Sequence, residues 1–233
     1  HLHFVANDTA KNRLSQLGET IDSIHVIGSP DVDVMKSSNL PDFQEVKRYY
    51  DFDFFNYAIL LFHPVTTELG ALRRHTRILI DQVLASRLNY IVIYPNNDHG
   101  TEIILEEYTR IQNNPRIKIY PSMRFEYFLT TLKNATFILG NSSAGIREAP
   151  HFGVPAINLG TRQNNRVKCD LVLDAAIEKE AIARAMILSQ EAPKQPSTLF
   201  GSGNSAETFH EIVKAPSFWN RDKQKYFVDR IIK

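Results

Sequence analysis

The stretch Gly140-Asn141-Ser142-Ser143-Ala144-Gly145-Ile146-Arg147-Glu148 places glycines, hydroxyls, a guanidinium and a carboxylate side by side. A strand is expected to end at Gly140 and a helix to begin near Ser143. The open N–H groups of a first helical turn, with the positive end of the helix dipole, form an anion site. Ser142 and Ser143 add hydroxyl donors, and Gly145 lets a ligand approach the backbone. Glu148, in the next turn, is placed to accept hydrogen bonds from a pair of sugar hydroxyls. A serine N-cap supported by Glu148 accounts for the same residues, and both readings stand at this point. This is not a Walker A loop, since no Gly-Lys-Ser/Thr follows the glycines.

Other segments add to this chemistry. In Gly160-Thr161-Arg162-Gln163-Asn164-Asn165-Arg166, an arginine in a glycine-led loop is a natural bidentate partner for phosphate; a solvated charged loop is the competing reading. In Phe62-His63-Pro64-Val65-Thr66-Thr67, Pro64 biases His63 away from helical geometry. From a strand end, His63 can donate to a phosphate oxygen or act as a general acid; a purely structural histidine is the alternative. Asn96 and Asn97 suit turn chemistry equally well. Asp98 and His99 have no further ligands at a metal-binding spacing. Gly201 and Gly203 precede an expected helix capped by Asn204 or Ser205, a second anion-ready N-terminus.

These residues need elements to hold them. Apolar, β-rich runs are expected as strands at 1–6, 24–28, 57–62, 90–95, 117–121, 136–140, 155–159 and 171–174. Helix-period segments lie between them at 8–19, 68–88, 100–112, 124–135 and 177–189. Within 68–88, Leu72, Leu79, Ile80, Val83 and Leu84 repeat at helical rather than alternating spacing. The strands are almost continuously apolar, as required when helices cover both faces of a parallel sheet. The pattern is that of a doubly wound, Rossmann-like α/β fold. Such sheets bind ligands at the carboxyl ends of their strands, where the histidine, asparagine, serine, glycine and arginine residues above collect.

Composition narrows the function classes. Lys plus Arg is 27 and Asp plus Glu is 26 in 233 residues, and a formal charge of +1 argues against a nucleic-acid binder. The longest apolar runs, such as Tyr57 to Phe62, are far shorter than the ~20 residues of a membrane span. No basic-then-apolar signal segment opens the sequence. One cysteine, Cys169, excludes an internal disulfide, and a reduced, cytoplasmic setting is expected.

At Phe62-His63-Pro64-Val65-Thr66-Thr67-Glu68, Tyr94-Pro95-Asn96-Asn97-Asp98-His99-Gly100, residues 140–166 and Phe200-Gly201-Ser202-Gly203-Asn204-Ser205-Ala206-Glu207, the sequence resembles the UDP-N-acetylglucosamine 2-epimerase family. The likeness is greatest to the hydrolysing branch, which supplies N-acetylmannosamine for sialic-acid-type sugars. Non-hydrolysing members carry a His-Arg-Arg-Glu-like sequence where this chain has His63-Pro64-Val65-Thr66. The resemblance implies two Rossmann-like domains of the glycosyltransferase-B type with the nucleotide sugar between them, this chain supplying the UDP-binding half. It divides the chain into the end of an N-terminal domain plus linker (1–34), a UDP-binding domain (35–215) and a C-terminal helix (216–233).

By resemblance, His63 contacts the diphosphate and is catalytic, and Asn96 lies near the nucleotide. The backbone around Met123 and Phe128 walls the uracil pocket, Ser142 and Ser143 bind phosphate, Glu148 holds the ribose hydroxyls, and Arg162 contacts UDP. Gly145, Arg147, Gly201 and Gly203 stand as further support on the phosphate side. The family reaction removes the C2 proton and expels UDP to leave a 2-acetamidoglucal; water then adds to give N-acetylmannosamine. No cofactor or metal is implied, the partner is a UDP-N-acetyl sugar, and relatives are dimers or tetramers. The proton-transfer residues belong to the other domain, so the chain by itself is expected to bind UDP weakly with little turnover. The alternatives are a donor domain of a glycosyltransferase and a non-catalytic UDP-sugar-binding module.

Overall fold

A computed structural model describes residues 2–166, 168–192, 194–220 and 224–229. The chain divides into two compact units, one of His1–Asn39 with Thr198–Lys233, the other of Leu40–Ser197.

In the first unit, strand β1 (His3–Val5), helix α1 (Asp8–Gln16), strand β2 (Ile24–Val26) and helix α2 (Pro30–Lys36) follow one another. β1 and β2 pair in parallel. Asn7 starts α1 by accepting Ala10 N–H at 3.0 Å, a side-chain cap of the ordinary kind. Pro30 occupies the first turn of α2, where its missing N–H costs nothing.

The second unit opens with helix α3 (Phe43–Tyr49) and then alternates: β3 (Tyr57–Leu61), α4 (Leu69–Ser86), β4 (Asn89–Ile93), α5 (Thr101–Tyr108), β5 (Ile117–Tyr120), α6 (Phe125–Lys133), β6 (Ile138–Gly140), α7 (Glu148–His151), β7 (Ala156–Leu159), β8 (Val172–Ala175) and α8 (Lys179–Glu191). The chain then returns to the first unit with α9 (Ser205–Lys214) and α10 (Pro216–Trp219). Six strands form one parallel sheet in the order β5-β4-β3-β6-β7-β8. Every residue of β3, β6 and β7 is buried, which is why those strands read as unbroken apolar runs. One sheet face, with Ala58, Leu60, Phe62, Val92, Leu139 and Ile157, packs on Leu72, Leu79, Ile80, Ile104, Ile182 and Met186 of α4, α5 and α8. The other covers itself with α3 and α6; there the Tyr57 hydroxyl donates to Thr131 O at 2.6 Å.

Strand order reverses between β3 and β6: β4 and β5 extend to one side, β7 and β8 to the other. This switch point is where an open α/β sheet leaves a crevice beyond its carboxyl edge. The ladder between the two strands ends on the pair Leu61 and Gly140.

Several expectations are corrected. The C-terminal helix over 216–233 is one short turn, Pro216–Trp219; residues 224–229 are not helical, and 221–223 and 230–233 lie outside the described residues, as does His1 of the first expected strand. The 224–229 stretch instead meets the turn after α1, with Val228 N–H donating to Gly18 O at 2.9 Å and Lys225 Nζ to Glu19 Oε1 at 2.6 Å. The unit boundaries fall at 39/40 and 197/198 rather than 34/35 and 215/216, because residues 198–215 pack on the amino-terminal segment. There Ser29 N–H donates to Phe200 O at 2.7 Å, and Lys36 Nζ to Ser202 O at 2.8 Å.

Candidate functional site

The residues just past the switch point are bonded to each other. Beyond Leu61 and Gly140 the two chains diverge, and Asn141 bridges them. Its Oδ1 accepts His63 N–H at 2.7 Å and its Nδ2 donates to His63 O at 2.9 Å. Its carbonyl receives Arg162 Nη1 at 3.1 Å and Gln163 Nε2 at 2.8 Å. Asn141 has no exposed surface. Gly140 makes the approach possible: its φ is +141°, and a Cβ there would collide with the Leu61 carbonyl oxygen.

His63 is then fixed from the next loop. Asn96 N–H donates to its Nδ1 at 3.1 Å, so the proton of the neutral ring sits on Nε2. Burial, then the Arg162 charge, push the His63 pKa down to about 4, against the opposing pull of the Asn96 contact and the Asp98 charge. At neutral pH His63 is therefore an uncharged Nε2–H donor. The general-acid reading needs a bound anion to raise that pKa. Asn96 is itself held: its Nδ2 donates to Asp98 Oδ2 at 2.6 Å, and its carbonyl accepts the Thr101 hydroxyl at the start of α5.

Arg162 sits in the loop after β7, half-buried. Burial lowers its pKa, Asp98 opposes, and Arg166 adds to the lowering; a guanidinium starts so far above neutral pH that it remains charged. The loop is tied down a second time by the Thr161 hydroxyl, which donates to Glu68 Oε1 ahead of α4. Desolvated guanidinium, a neutral imidazole N–H and open main-chain N–H groups together suit an anion carrying several oxygens.

The helix expected near Ser143 is not there. Ser143–Gly145 forms a single 3-10 turn, followed by the four-residue α7. Pro150 lacks a donor, and Gly153 at φ +71° ends the turn. Ser142 accepts Ala144 N–H at 3.3 Å, so the serine cap is present. The N–H groups of Gly145, Ile146 and Arg147 turn back onto Ser142 and Ser143 carbonyls. This leaves those of Ser142 and Ser143 without a partner among the described residues. The cradle thus offers two main-chain N–H groups ahead of a short turn rather than the end of a long helix dipole. A Cβ on Gly145 would point at Ala156 Cβ, 3.3 Å away in β7, so its smallness serves packing rather than ligand approach.

The structure brings His63, Asn96 and Arg162 together around Asn141, and Ser142 and Ser143 follow that asparagine in the chain. Arg147 and Glu148 follow the 3-10 turn, Glu148 as the first residue of α7. Met123 and Phe128 lie after β5, two strand positions from β3, roughly 10 Å to the side. Phe128 is buried and its N–H is engaged by Arg124 O at 2.8 Å. Gly201 and Gly203 belong to the first unit, and the N-terminus they precede is filled. Asp33 accepts Ser205 N–H, Ala206 N–H and the Ser205 hydroxyl at 2.8–2.9 Å, so neither Asn204 nor Ser205 caps α9 with its side chain. Burial raises the Asp33 pKa, but these three bonds outweigh it and hold the carboxyl below its ordinary value. Sequence reasoning did not single out Asn141, Gln163 or Asp33, whose partners are distant in sequence.

The fold is Rossmann-like, of the glycosyltransferase-B type. Residues 1–214 match the family model described as UDP-N-acetylglucosamine 2-epimerase, and the chain belongs to that family. It is 46% identical over 233 residues to a UDP-N-acetylglucosamine 2-epimerase of Neisseria meningitidis serogroup B, covering 98% of this chain and 62% of that protein. It is 31% identical over 216 residues to the UDP-N,N'-diacetylbacillosamine 2-epimerase (hydrolyzing) of Legionella pneumophila, covering 92% and 57%. The crystal structure of Methanocaldococcus jannaschii UDP-GlcNAc 2-epimerase in complex with UDP-GlcNAc and UDP superposes with a TM-score of 0.72 at 22% identity, covering 91% of this chain and 60% of that one. The chain therefore spans about three-fifths of the length of these proteins. Among the described residues, no helix is long and apolar enough to cross a membrane.

Proposed function

We propose that this chain is the UDP-binding part of a hydrolysing UDP-N-acetylglucosamine 2-epimerase. The observation that carries the reading is the bridge at the switch point, where Asn141 holds the His63 backbone through its side chain and the Arg162 guanidinium through its carbonyl. In the reaction, the C2 proton is removed and the C1–O bond to UDP breaks. The electron pair of that bond passes to the diphosphate, and a C1–C2 double bond forms in the released 2-acetamidoglucal. Water then returns a hydroxyl to C1 and a proton to C2 from the opposite face, giving N-acetylmannosamine and UDP. His63 Nε2–H and Arg162 face the diphosphate as its charge grows, which is where donors lower the barrier. Ser142 and Ser143 hold phosphate oxygens, and Glu148 accepts from the ribose hydroxyls. The loop after β5, with Met123 and Phe128, sits where a base extending along the strand ends would lie. The groups that remove and return the C2 proton are assigned to the part of the relatives that this chain does not span, so the chain alone binds UDP with little turnover.

Two features favour the hydrolysing branch: His63-Pro64-Val65-Thr66 in place of a basic run, and the likeness to the hydrolysing Legionella epimerase. The test is turnover of UDP-N-acetylglucosamine by the relative-length enzyme in ¹⁸O-water. Free UDP with N-acetylmannosamine labelled at C1 is expected. An unlabelled product still attached to UDP would overturn the hydrolysing assignment. Turnover only with an added acceptor would point to a glycosyltransferase instead.

A further inference from the structure

We propose that Asn141 is the positioning residue of the anion site: its side-chain amide fixes the His63 backbone while its main-chain carbonyl anchors the loop that carries Arg162. The inference rests on the nucleotide-binding reading, and the experiment below separates the two.

The argument starts at the end of the β3–β6 ladder. Past Leu61 and Gly140 the strands part, and Asn141 N–H makes a last, longer bond to Leu61 O at 3.3 Å. From there the side chain continues the ladder in place of backbone. One carboxamide presents an acceptor to His63 N–H and a donor to His63 O, as a paired peptide unit does. The main-chain carbonyl then takes two side-chain donors, Arg162 Nη1 and Gln163 Nε2. Asn141 is fully enclosed and Gln163 only 4% exposed, while His63 and Arg162 are half-buried. Few residues can substitute. Aspartate matches the shape but has no N–H for His63 O, serine is too short to reach both groups, and alanine leaves both unpaired. His63 and Arg162 come from loops 99 residues apart, 162 minus 63, so without this common reference each would set its position independently.

A residue that only stabilised the fold would change melting and nothing else. A positioning residue also changes how His63 titrates and how tightly the anion is held. The charged groups facing His63 are Arg162 from the loop after β7 and Asp98 from the loop after β4. Asn141→Asp adds a carboxylate to that set and turns it against the His63 carbonyl. The measurements are the His63 ring titration by NMR and UDP affinity by calorimetry, both on the 233-residue chain, with a circular-dichroism melt to show that the variant folds. The expected result is a His63 pKa raised by about one pH unit or more and UDP affinity reduced about tenfold or more. A folded variant with the wild-type titration and affinity overturns the proposal. If the wild-type chain does not bind UDP, the nucleotide reading fails and the titration alone decides: a raised pKa supports the positioning role, an unchanged one ends it. If Asn141→Asp does not fold, Gln163→Met serves. It removes one anchor of the Arg162 loop, slackens the guanidinium's hold near His63, and is expected to raise the His63 pKa measurably. An unchanged titration in that variant overturns the proposal.

Discussion

Gly140-Asn141-Ser142-Ser143-Ala144 in the larger unit and Gly203-Asn204-Ser205-Ala206 in the smaller differ by one serine. Both follow a glycine of positive φ, +141° and +81°. In the smaller unit the segment opens a ten-residue helix, and the first N–H groups of that helix close on Asp33, an anion supplied by α2 of the same unit. In the larger unit the segment opens one 3-10 turn, and the N–H groups of Ser142 and Ser143 remain available at the switch point of the sheet. The better helix N-terminus is thus the one already satisfied. Local sequence prepares a backbone for negative charge, and the tertiary neighbour decides whether that charge is the protein's own or a ligand's.

The comparison can be broken by substitution. The largest effect is expected at Gly140, with Gly203 as its control. Gly140→Ala places a Cβ against the Leu61 carbonyl, which is rigid backbone at the centre of the sheet, and should cost about 3–5 kcal/mol. Gly203→Ala meets only the Lys36 side chain, which can swing away, so strain at positive φ is left, about 1–2 kcal/mol. Urea midpoints of the two variants measure the difference, and equal losses would show that the two turns are held alike. Next, Arg162→Ala should weaken UDP binding by about 1.5–3 kcal/mol, a charged hydrogen bond's worth, whereas Asp33→Asn should leave UDP affinity unchanged in the same calorimetric titration. A loss of affinity in Asp33→Asn would place the α9 terminus in the nucleotide site after all. The smallest effect is on stability: Asp33→Asn should cost about 1–2 kcal/mol at neutral pH. Because the folded-state pKa of Asp33 lies below 3.8, its contribution is complete above that value and is lost as pH falls through the folded pKa. The wild-type and Asp33→Asn melting curves should therefore converge as pH falls below the ordinary carboxylate range.

The parallel sheet was legible because its strands are buried on both faces, and every expected strand is present within a residue or two. The long α4 was legible for its spacing. The seven-residue α2 and α3 were not expected, since a helix of two turns shows too little periodicity to stand out from a loop. The site was legible in part. His63 and Arg162 stand at strand ends where ligands bind, and their types advertise the chemistry. Asn141 does not, because an asparagine after a strand reads as turn chemistry, and its role exists only once residues 63, 162 and 163 have arrived. Asp33 lies 172 positions from the serine it caps, and no local pattern links them. The helix expected at Ser143 failed for a local reason, Pro150 and Gly153, outweighed in the reading by the serines before them.

The reversal of strand order between β3 and β6 also bears on how the molecule is made. The two strands at the centre of the sheet are separated in the chain by three helical crossovers, so their pairing is among the most non-local events in folding and closes late. His63, Asn141 and Arg162 become neighbours only at that moment. A chain leaving the ribosome or recovering from denaturant therefore has no partial anion site to offer, and nucleotide present during folding selects only finished sheets. Capture of UDP by a refolding sample should lag behind the recovery of helix signal.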